Sequence, residues 1–343
     1  MAISLGLPVY NGANYLREAL ESAVVQGPEL AEIVVSDNCS TDETPAIVAE
    51  FARRDPRVRH ERSEVFLNQA DNVSRAVRLC RTEWVQLLCH DDLLRPGAIA
   101  ALAGVITGLA DRDCALISHQ PCHLFVDGHT YRHAAGRGRV ETLESLMGSD
   151  VKSESEAAEC HPADTLLASA LRRGGMPYLP SVTTAAVRRS AFESMGGFDS
   201  RWVHFDIFLW TRLIRDHAYA VSAGHWTLTR VHAAQVAVLS RRNQRSYRDF
   251  RDFYGEFIPA AQVRYSLSPW ACCKLRLKPL SQASAPLVVA LRKRIWRDFF
   301  SQWFALPWWL WLQVLALTGL NYFREGRRNA ELWKSVPPAL TYE

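Results

Sequence analysis

Acidic side chains follow two apolar segments of the chain, at the points where each segment is predicted to end as a strand. Asp37 follows the segment 32–36, and Asp91 and Asp92 follow the segment 84–89. In an open α/β sheet, ligands bind at the carboxyl ends of the strands. Carboxylate oxygens suit Mg²⁺ and Mn²⁺, which commonly bridge a few carboxylates to substrate phosphates. The two positions therefore predict a nucleotide that is held through a divalent cation.

Each of these acids also has a structural explanation. Asp37 could accept a hydrogen bond from a base or a ribose, or it could cap the turn before Ser40. Asp91 and Asp92 are adjacent in an extended segment, so their side chains point in opposite directions. We expect Asp91 to bind the metal and Asp92 to serve the backbone or to support Asp91.

Two further residues have side chains suited to a site. Asp206 lies in the apolar stretch 202–208, where the loss of water raises the pKa of a carboxylate and suits it to act as a general base. Alternatively, the Asp206 carboxylate could stabilise the N-terminus of a helix. His232 could bind a metal through its neutral imidazole, whereas a lone histidine is more often a structural or surface residue.

The first predicted connection between a strand and a helix lacks the standard phosphate-binding motifs. It reads P-V-Y-N-G over residues 8–12, which is neither G-x-G-x-x-G nor G-x-x-x-x-G-K-[ST]. This argues against a dinucleotide-dependent dehydrogenase and against a P-loop NTPase. A nucleotide base could still pack beside Pro8, or the segment could be an ordinary turn.

Strands and helices alternate through the first part of the chain, which predicts an α/β fold with a mainly parallel sheet flanked by helices. Strands are predicted at 3–9, 32–36, 58–61, 84–89 and 115–118, and helices at 14–25, 40–54, 68–80, 96–109 and 205–216. Capping-box spacing predicts helix starts at Ser40, with Glu43, and at Ser190, with Glu193. Residues 132–163 are polar and glycine-rich, and we expect an irregular or partly helical insertion there.

The C-terminal part of the chain is basic. Residues 241–343 contain 17 Lys and Arg against 7 Asp and Glu, whereas the remainder contains 23 against 29. The apolar, tryptophan-rich stretch 303–320 has basic residues on both sides, which favours a segment that lies on an anionic membrane surface through 292–328. Packing on the protein, pairing with a second copy in a homo-oligomer and a true membrane span are the alternatives. The apolar composition argues against a nucleic-acid partner.

The cysteine pattern and the N-terminal composition bear on the cellular compartment. The eight cysteines include no C-x-x-C pair, and the chain begins without a basic and apolar leader pattern. Both observations predict reduced thiols and a cytoplasmic protein, peripheral on the inner face of the membrane if the tail binds lipid.

Taken together, the motifs resemble those of family 2 glycosyltransferases. In chain order they read P-V-Y-N-G, S-D-N-C-S-T-D-E-T, N-Q-A-D-N, C-H-D-D, G-G-F-D, F-D-I-F-L-W and R-V-H, and the resemblance covers residues 3–238. It implies a GT-A fold, a nucleoside-diphosphate-sugar donor, a divalent cation (Mn²⁺ or Mg²⁺) and inverting transfer to an acceptor hydroxyl.

The resemblance also implies a domain organisation. A GT-A catalytic domain would occupy 1–240, with a nucleotide-binding half at 1–118 and an acceptor half at 119–240. A basic helical extension, rich in Trp and Arg, would occupy 241–343 and bind a membrane or a second copy of the chain.

On the donor side, the family pattern assigns residues to the nucleotide and the sugar. Pro8, Tyr10 and Asp37 would line the nucleoside site. Asn72 would face the donor phosphates or sugar, and Asp91, the last acid of the family's D-x-D motif, would bind the metal and the donor.

On the acceptor side, the pattern assigns the border of the site and the base. Gly197, Phe198 and Asp199 would border the acceptor, and Asp206 would be the catalytic base. His232 would reach the metal or the pyrophosphate.

Two positions depart from the family pattern. Cys89 replaces the first acid of D-x-D, which leaves one hard metal ligand fewer. Phe205 replaces the glutamate that usually precedes the base, while Asp206 itself is present.

The sequence thus predicts a hexosyl- or deoxyhexosyltransferase of surface polysaccharide or glycolipid synthesis, with a glycan or lipid-linked acceptor. A sugar-nucleotide nucleotidyltransferase is one alternative, although it would require a glycine-rich first turn with Arg or Lys. A catalytically degenerate module that binds sugars or nucleotides, or acts as a scaffold, is the other.

Overall fold

A computed structural model describes residues 1–125, 129–134, 137–148, 151, 158–232 and 245–279. The chain forms two compact units. The first comprises the described residues of 1–167, 178–201 and 205–231, and the second comprises those of 168–177, 202–204, 232 and 245–279. The expected membrane-binding segment at 292–328, including the tryptophan-rich stretch, lies outside the described residues. In the part of the chain that is described, no helix is both long and apolar enough to cross a membrane.

The strands are β1 (Ile3–Val9), β2 (Leu30–Asp37), β3 (Val58–Arg62), β4 (Trp84–Leu87), β5 (Leu93–Leu94), β6 (Cys114–Ser118), β7 (Cys122–Phe125), β8 (His129–Ala134), β9 (Arg137–Thr142), β10 (Glu159–His161), β11 (Ala185–Arg188), β12 (Ala218–Val221) and β13 (Thr227–Val231). The helices are α1 (Leu16–Val24), α2 (Thr44–Arg54), α3 (Gln69–Leu79), α4 (Ala98–Gly108), α5 (Leu143–Met147), α6 (Thr165–Arg172), α7 (Arg189–Ser194), α8 (Phe205–Asp216) and α9 (Arg245–Tyr265). A further helix covers residues 269–279.

An eight-stranded sheet forms the centre of the first unit, in the order β10-β12-β6-β11-β4-β1-β2-β3. β1 pairs in parallel with β2 and β4, β2 pairs in parallel with β3, and β6 pairs in parallel with β12. Only β10 and β11 run antiparallel to their neighbours in this sheet. The predicted mainly parallel sheet is confirmed, and the carboxyl ends of β1, β2, β4 and β6 meet at one edge.

A five-stranded sheet lies in the same unit, in the order β5-β13-β7-β8-β9. β8 and β9 pair antiparallel from His129 with Thr142 to Ala134 with Arg137. The segment 132–163, which we expected to be irregular, thus contains β9, α5 and β10 in its described residues. Pairing of the two strands supplies backbone hydrogen bonds that the polar composition does not reveal.

Both helix starts that were predicted from capping boxes are wrong. α2 begins at Thr44, because the Ser40 hydroxyl accepts a hydrogen bond from the Asn11 backbone N–H instead of capping a helix. α7 begins at Arg189, and the Ser190 hydroxyl donates to the Glu83 carboxylate. In both cases the serine hydroxyl forms a hydrogen bond with a residue that is distant in sequence, so it does not cap the helix.

Other predicted elements agree with the structure more closely. α8 covers Phe205–Asp216 as predicted. α3 begins after Asn68, whose side chain accepts the Asp71 backbone N–H at 2.9 Å. These helices combine a clear apolar face with local capping or end signals, which the sequence displays without tertiary information.

A buried carboxylate joins the first three strands at the amino-terminal side of the sheet. Glu32 of β2 accepts hydrogen bonds from the Ser4 hydroxyl at 2.7 Å, the Arg81 backbone N–H at 2.5 Å and the Arg59 guanidinium at 2.6 Å. Burial acts to raise the pKa of Glu32, but the three hydrogen bonds and the Arg59 charge outweigh it and lower that pKa. Glu32 therefore stabilises the sheet as a charged group.

We expect Glu32→Ala to lower the free energy of unfolding by about 3 kcal/mol, because it leaves a partly buried arginine and two donors without their acceptor. Glu32→Gln should cost less, since its amide oxygen can still accept from Ser4 and the Arg81 N–H. Urea unfolding measures both values. Glu21→Ala, at an exposed position of α1, is the control and should change the free energy by less than about 0.5 kcal/mol. Equal effects of the Glu32 and Glu21 variants would contradict the role of this carboxylate.

Candidate active site

Hydrogen bonds join the loop after β1 to the loop after β2. The Asn11 N–H donates to the Ser40 hydroxyl at 3.0 Å, and the Gly12 N–H donates to the Thr44 hydroxyl at 2.9 Å. A Cβ on Gly12 would lie 2.6 Å from the His90 ring, which is too close for any residue other than glycine. Glycine is therefore required where the segment after β4 approaches this loop. The P-V-Y-N-G motif is therefore a close backbone junction at the carboxyl edge of the sheet.

Asp37 ends β2 with a fully buried side chain. Its carboxylate accepts the Ser40 N–H at 2.9 Å and the Arg62 guanidinium at 3.0 Å, and it lies 3.1 Å from Nε2 of His60. Burial acts to raise the pKa of Asp37, but the hydrogen bonds from His60 and Ser40 and the charge of Arg62 lower it to about 2. Asp37 is thus ionised at neutral pH and caps the turn, and its contact with a nucleoside stays a prediction.

Asn72 of α3 joins the ends of β1 and β2. Its side-chain oxygen accepts the Ser36 hydroxyl at 2.8 Å, and its amide donates to the carbonyls of Ser36 at 3.2 Å and Val9 at 3.4 Å. Arg75, one turn further along α3, donates to the Ser36 hydroxyl and to the Glu61 carbonyl. Asn72 is buried in these contacts, and its approach to the donor stays a prediction.

An aromatic pair is exposed at the same edge. Tyr10 and Phe66 have exposed fractions of 46% and 64%, and their rings meet edge to face with centroids 5.0 Å apart. Pro8, in contrast, is buried within β1. No sequence motif pointed to Phe66, although a Val-Phe pair in a polar loop after a strand is a signal of an exposed apolar surface. The roles of Pro8 and Tyr10 at a nucleoside stay predictions.

Three residues after β4 form a cluster that could hold a metal ion. Within the described part of the chain, ligand atoms of Cys89, Asp91 and Asp92 lie within 4.8 Å of one another. Asp92 is buried and accepts the Thr183 hydroxyl at 2.5 Å and the Arg230 backbone N–H at 2.8 Å. Burial, followed by the nearby Asp91 charge, raises the pKa of Asp92 well above its usual value. Asp92 is therefore an internal anchor, and it serves the backbone as expected.

The donor set of this cluster fits a hard divalent cation through carboxylate oxygen. Burial and the charges of Asp92 and Asp91 raise the pKa of the Cys89 thiol well above its usual value. A protonated thiol is a poor ligand for Mg²⁺ or Mn²⁺, which prefer oxygen. Because Asp92 is engaged with Thr183 and Arg230, the oxygens of Asp91 are the best candidates for the cation.

Arg230 of β13 adds a fixed positive charge beside the cluster. Its Nε donates to the Asp91 carbonyl at 2.9 Å, its Nη2 donates to Glu18 at 2.7 Å, and its guanidinium lies 4.7 Å from the centroid of the Tyr15 ring. The R-V-H motif pointed to His232, and Arg230 was not predicted. The motif was the available signal, but only the pairing of β13 beside β5 brings its arginine to Asp91.

Asp206 lies in the first turn of α8, at the same edge as the cluster. Its Oδ1 accepts the Ile207 backbone N–H at 2.9 Å, and its charge is close enough to contribute to the raised pKa of Cys89. Burial raises the pKa of Asp206 to about 6, against the opposing backbone hydrogen bonds of Ile207 and Val182. This value suits a group that must take a proton near neutral pH. Asp206 also fulfils the structural alternative of a carboxylate at a helix N-terminus.

The G-G-F-D motif forms the turn between α7 and α8. Gly197 has a φ of +84°, and a Cβ there would lie 2.7 Å from the Arg78 guanidinium. The Phe198 N–H donates to the Ser74 hydroxyl at 3.0 Å, and the Asp199 carboxylate pairs with Arg201 at 2.7 Å. The turn thus holds the start of α8 against α3, while contacts of Gly197, Phe198 and Asp199 with an acceptor stay predictions.

His232 follows β13 directly and is partly buried. It belongs to the second compact unit, whereas the acidic cluster and Asp206 belong to the first. Its role as a metal ligand stays a prediction.

Comparisons with known proteins agree with the motifs. Residues 4–150 match the sequence model of Glycosyl transferase family 2. The succinoglycan biosynthesis protein ExoO of Rhizobium meliloti is 28% identical over 160 residues, which cover 45% of this chain and 44% of that protein. Chondroitin synthase of Escherichia coli is 36% identical over 98 residues, which cover 28% of this chain and 14% of that protein. The chain thus spans less than half the length of these curated relatives.

Solved structures show the same fold at low sequence identity. S. aureus TarS 1–349 in complex with UDP-GlcNAc has a TM-score of 0.56 and 17% identity, and the match covers 96% of this chain and 92% of that one. The mannosyltransferase PcManGT from Pyrobaculum calidifontis, in complex with GDP-Man and Mn²⁺, has a TM-score of 0.51 and 17% identity, with coverages of 94% and 87%.

The motifs, the mainly parallel sheet and these matches agree. Residues 4–150 of this chain match glycosyl transferase family 2, and the chain has the GT-A fold of these solved structures.

Proposed function

We propose that the protein is an inverting glycosyltransferase that moves a sugar from a nucleoside-diphosphate sugar to an acceptor hydroxyl. The observation that carries the proposal is Asp206, a carboxylate with a pKa of about 6, at the same sheet edge as the acidic cluster with Asp91. The match of residues 4–150 to the family model supports it, as do the nucleotide sugars named for the two structural neighbours. The names of the curated relatives support an acceptor in polysaccharide synthesis.

In this mechanism Asp206 accepts the proton of the acceptor hydroxyl. The freed oxygen bonds to the anomeric carbon while the bond from that carbon to the diphosphate breaks on the opposite face, so one displacement inverts the configuration. Asp91 would hold the cation, whose chemistry is to offset charge on the leaving diphosphate. Asp92 and Arg230 keep the main chain at Asp91 in place, which preorganises the site.

A degenerate binding module is the second candidate. Cys89 stands in place of an acid, and the side chains of Asp37 and Asn72 are engaged with the protein itself. Such a module would bind the nucleotide but would not turn over the donor.

The first experiment measures the melting temperature with UDP, GDP, dTDP and CDP, each with Mn²⁺ and with EDTA. A ligand that binds only the folded state stabilises it, by about 2.7 kcal/mol at a hundredfold excess over Kd. We expect one nucleotide to raise the melting temperature in a Mn²⁺-dependent manner. Release of sugar from the matching nucleotide sugar then separates an enzyme from a binding module. A folded protein that responds to none of the four would contradict both the enzyme and a nucleotide-binding module.

Replacement of Asp91 and of Asp92 should have different effects. We expect Asp91→Asn to abolish the Mn²⁺-dependent part of the nucleotide shift. Asp92→Asn should keep most of that shift, because the raised pKa of Asp92 favours a neutral group. The amide oxygen can still accept the Arg230 backbone N–H, and the amide N–H can donate to the Thr183 hydroxyl oxygen. Asp92→Ala should lower the free energy of unfolding by about 2 kcal/mol, since two buried donors lose their acceptor. If Asp92→Asn abolished the shift and Asp91→Asn did not, the two roles would be reversed.

The rate of transfer should depend on the protonation of Asp206. A general base acts only when deprotonated, so kcat/KM should fall about tenfold for each pH unit below about 6 and level off above it. Asp206→Asn should lose at least about 100-fold in kcat at pH 7.5 while nucleotide binding is retained. Asp216→Asn, at the other end of α8, is the matched control and should leave the profile unchanged. A profile of the wild type that is flat from pH 5 to 8 would exclude Asp206 as the base.

A further inference from the structure

A short 3₁₀ turn before β11 contacts both acidic groups of the candidate active site. The turn comprises Val182–Thr184. The Thr183 hydroxyl donates to the Asp92 carboxylate at 2.5 Å, and the Val182 backbone N–H is one of the donors that oppose burial at Asp206. Because the acidic cluster and Asp206 both bond to this turn, residues packed beside the turn lie close to the candidate active site.

Tyr178 precedes this turn and lies at the carboxyl edge of the central sheet. Its backbone carbonyl accepts the Tyr219 hydroxyl at 3.2 Å, and the Tyr219 hydroxyl shares a second hydrogen bond with the Ser118 hydroxyl at 2.7 Å. Ser118 is the last residue of β6, which pairs in parallel with β12. The main chain of Tyr178 is therefore held at the edge of the sheet where such folds bind their ligands.

The side chain of Tyr178 is open to solvent. Its exposed fraction is 47%, whereas Tyr219, which holds its main chain, is 1% exposed. The Thr184 side chain provides a hydrogen bond that opposes the effect of burial on the pKa of the Tyr178 hydroxyl. Tyr178 thus combines a hydroxyl that the protein engages with an aromatic ring that remains partly uncovered.

The other exposed aromatic side chains lie elsewhere on the sheet edge. Within the described part of the first unit, these are Tyr10 and Phe66, which contact each other after β1 and β3. Tyr10 is the residue that we expect at the nucleoside. Tyr178 instead adjoins the turn that bonds to Asp206, so its position favours the substrate that gives up a proton over the nucleotide.

A pyranose ring is a ligand that suits this surface. Its hydroxyl groups lie around the rim, and its two faces carry C–H groups. The face of an aromatic ring is negative and attracts the slightly positive C–H hydrogens, and the contact also removes apolar surface from water. Because Thr184 engages the hydroxyl of Tyr178, the ring can hold a sugar without competing for the hydroxyl group that Asp206 must reach.

We infer that Tyr178 binds the acceptor, with its aromatic ring packed on the C–H face of a pyranose whose hydroxyl group is directed to Asp206. Tyr178 is then a specificity-determining residue that selects a sugar as the acceptor. The inference rests on the proposed function, because a protein that transfers no sugar has no acceptor.

Fluorine NMR of the full chain labelled with 3-fluorotyrosine tests this contact at the residue itself. The chain has ten tyrosines, and spectra of Tyr178→Phe and Tyr10→Phe assign the two signals by their absence. The nucleotide that raises the melting temperature is added first, with Mn²⁺, and should move the Tyr10 signal but not the Tyr178 signal. The methyl glycosides of β-glucose, β-galactose, α-mannose and N-acetyl-β-glucosamine are added next, and at least one should move the Tyr178 signal.

Affinity for the responding glycoside should depend on the ring of Tyr178 and not on its hydroxyl group. Titration of the saturation-transfer signal of the glycoside measures this affinity. Tyr178→Ala should weaken binding about tenfold, and Tyr178→Phe, which keeps the ring, should weaken it less than about threefold. The matched control is Trp270→Ala, which removes a 67% exposed aromatic side chain from the second unit and should leave binding unchanged. A retained melting temperature and nucleotide shift show that Tyr178→Ala is folded.

The two fluorine signals separate failure of the inference from failure of the proposed function. If the nucleotide moved the Tyr10 signal and no glycoside moved the Tyr178 signal, the inference would be overturned while the donor site remained. A Tyr178 signal that responds to the nucleotide and to no glycoside would also overturn it, because the ring would then face the donor. If no nucleotide bound, the proposed function would fail, and a response of Tyr178 to a glycoside would indicate a sugar-binding module without an acceptor site.

Discussion

The hydrogen bonds of one buried carboxylate hold the candidate active site together. Asp92 follows β4, and it accepts the Thr183 hydroxyl and the Arg230 backbone N–H, which come from parts of the chain about 90 and 140 residues away. Thr183 also accepts the Cys89 N–H, and Arg230 donates to the Asp91 carbonyl. The main chain around Asp91 is thus held by hydrogen bonds of the Cys89 N–H, the Asp91 carbonyl and the Asp92 side chain. A buried polar network of this kind rigidifies a site when every member is satisfied.

The two ends of the sheet use buried carboxylates for different purposes. Glu32 ties β1, β2 and β3 at the amino-terminal side, and Asp37 holds the turn at the carboxyl side with Arg62. Both have lowered pKa values because their hydrogen bonds outweigh burial. Glu32 and Asp37 each have an arginine charge among the causes that lower their pKa, whereas backbone hydrogen bonds are what opposes burial at Asp206, so burial prevails and the pKa of Asp206 rises. The charge of the partners therefore separates the structural carboxylates from the one suited to accept a proton.

The departure from the D-x-D pattern at Cys89 is compatible with the surroundings of the cluster. A third charged carboxylate at this position would lie close to Asp91 and Asp92, whose mutual repulsion already contributes to the raised pKa of Asp92. A neutral thiol adds no such charge, and Arg230 provides a positive one nearby. Before a cation binds, the site thus carries little net negative charge. Asp91 is then the main source of oxygen ligands for the cation.

The sequence by itself determined the repeating elements and the chemical candidates. Apolar runs and helical periodicity predicted β1, β3, α3 and α8 closely, because these patterns reflect burial on a local surface. The motifs indicated Asp91, which follows a strand of the parallel sheet, and Asp206, which lies at the start of a helix. Ligands of such folds bind at the carboxyl ends of the strands. Only the tertiary structure decided which polar groups are engaged. Ser40 and Ser190 bond to distant residues instead of capping helices, Asp92 is an anchor, and Arg230 reaches Asp91, because strand pairing joins residues whose separation along the chain no local pattern encodes.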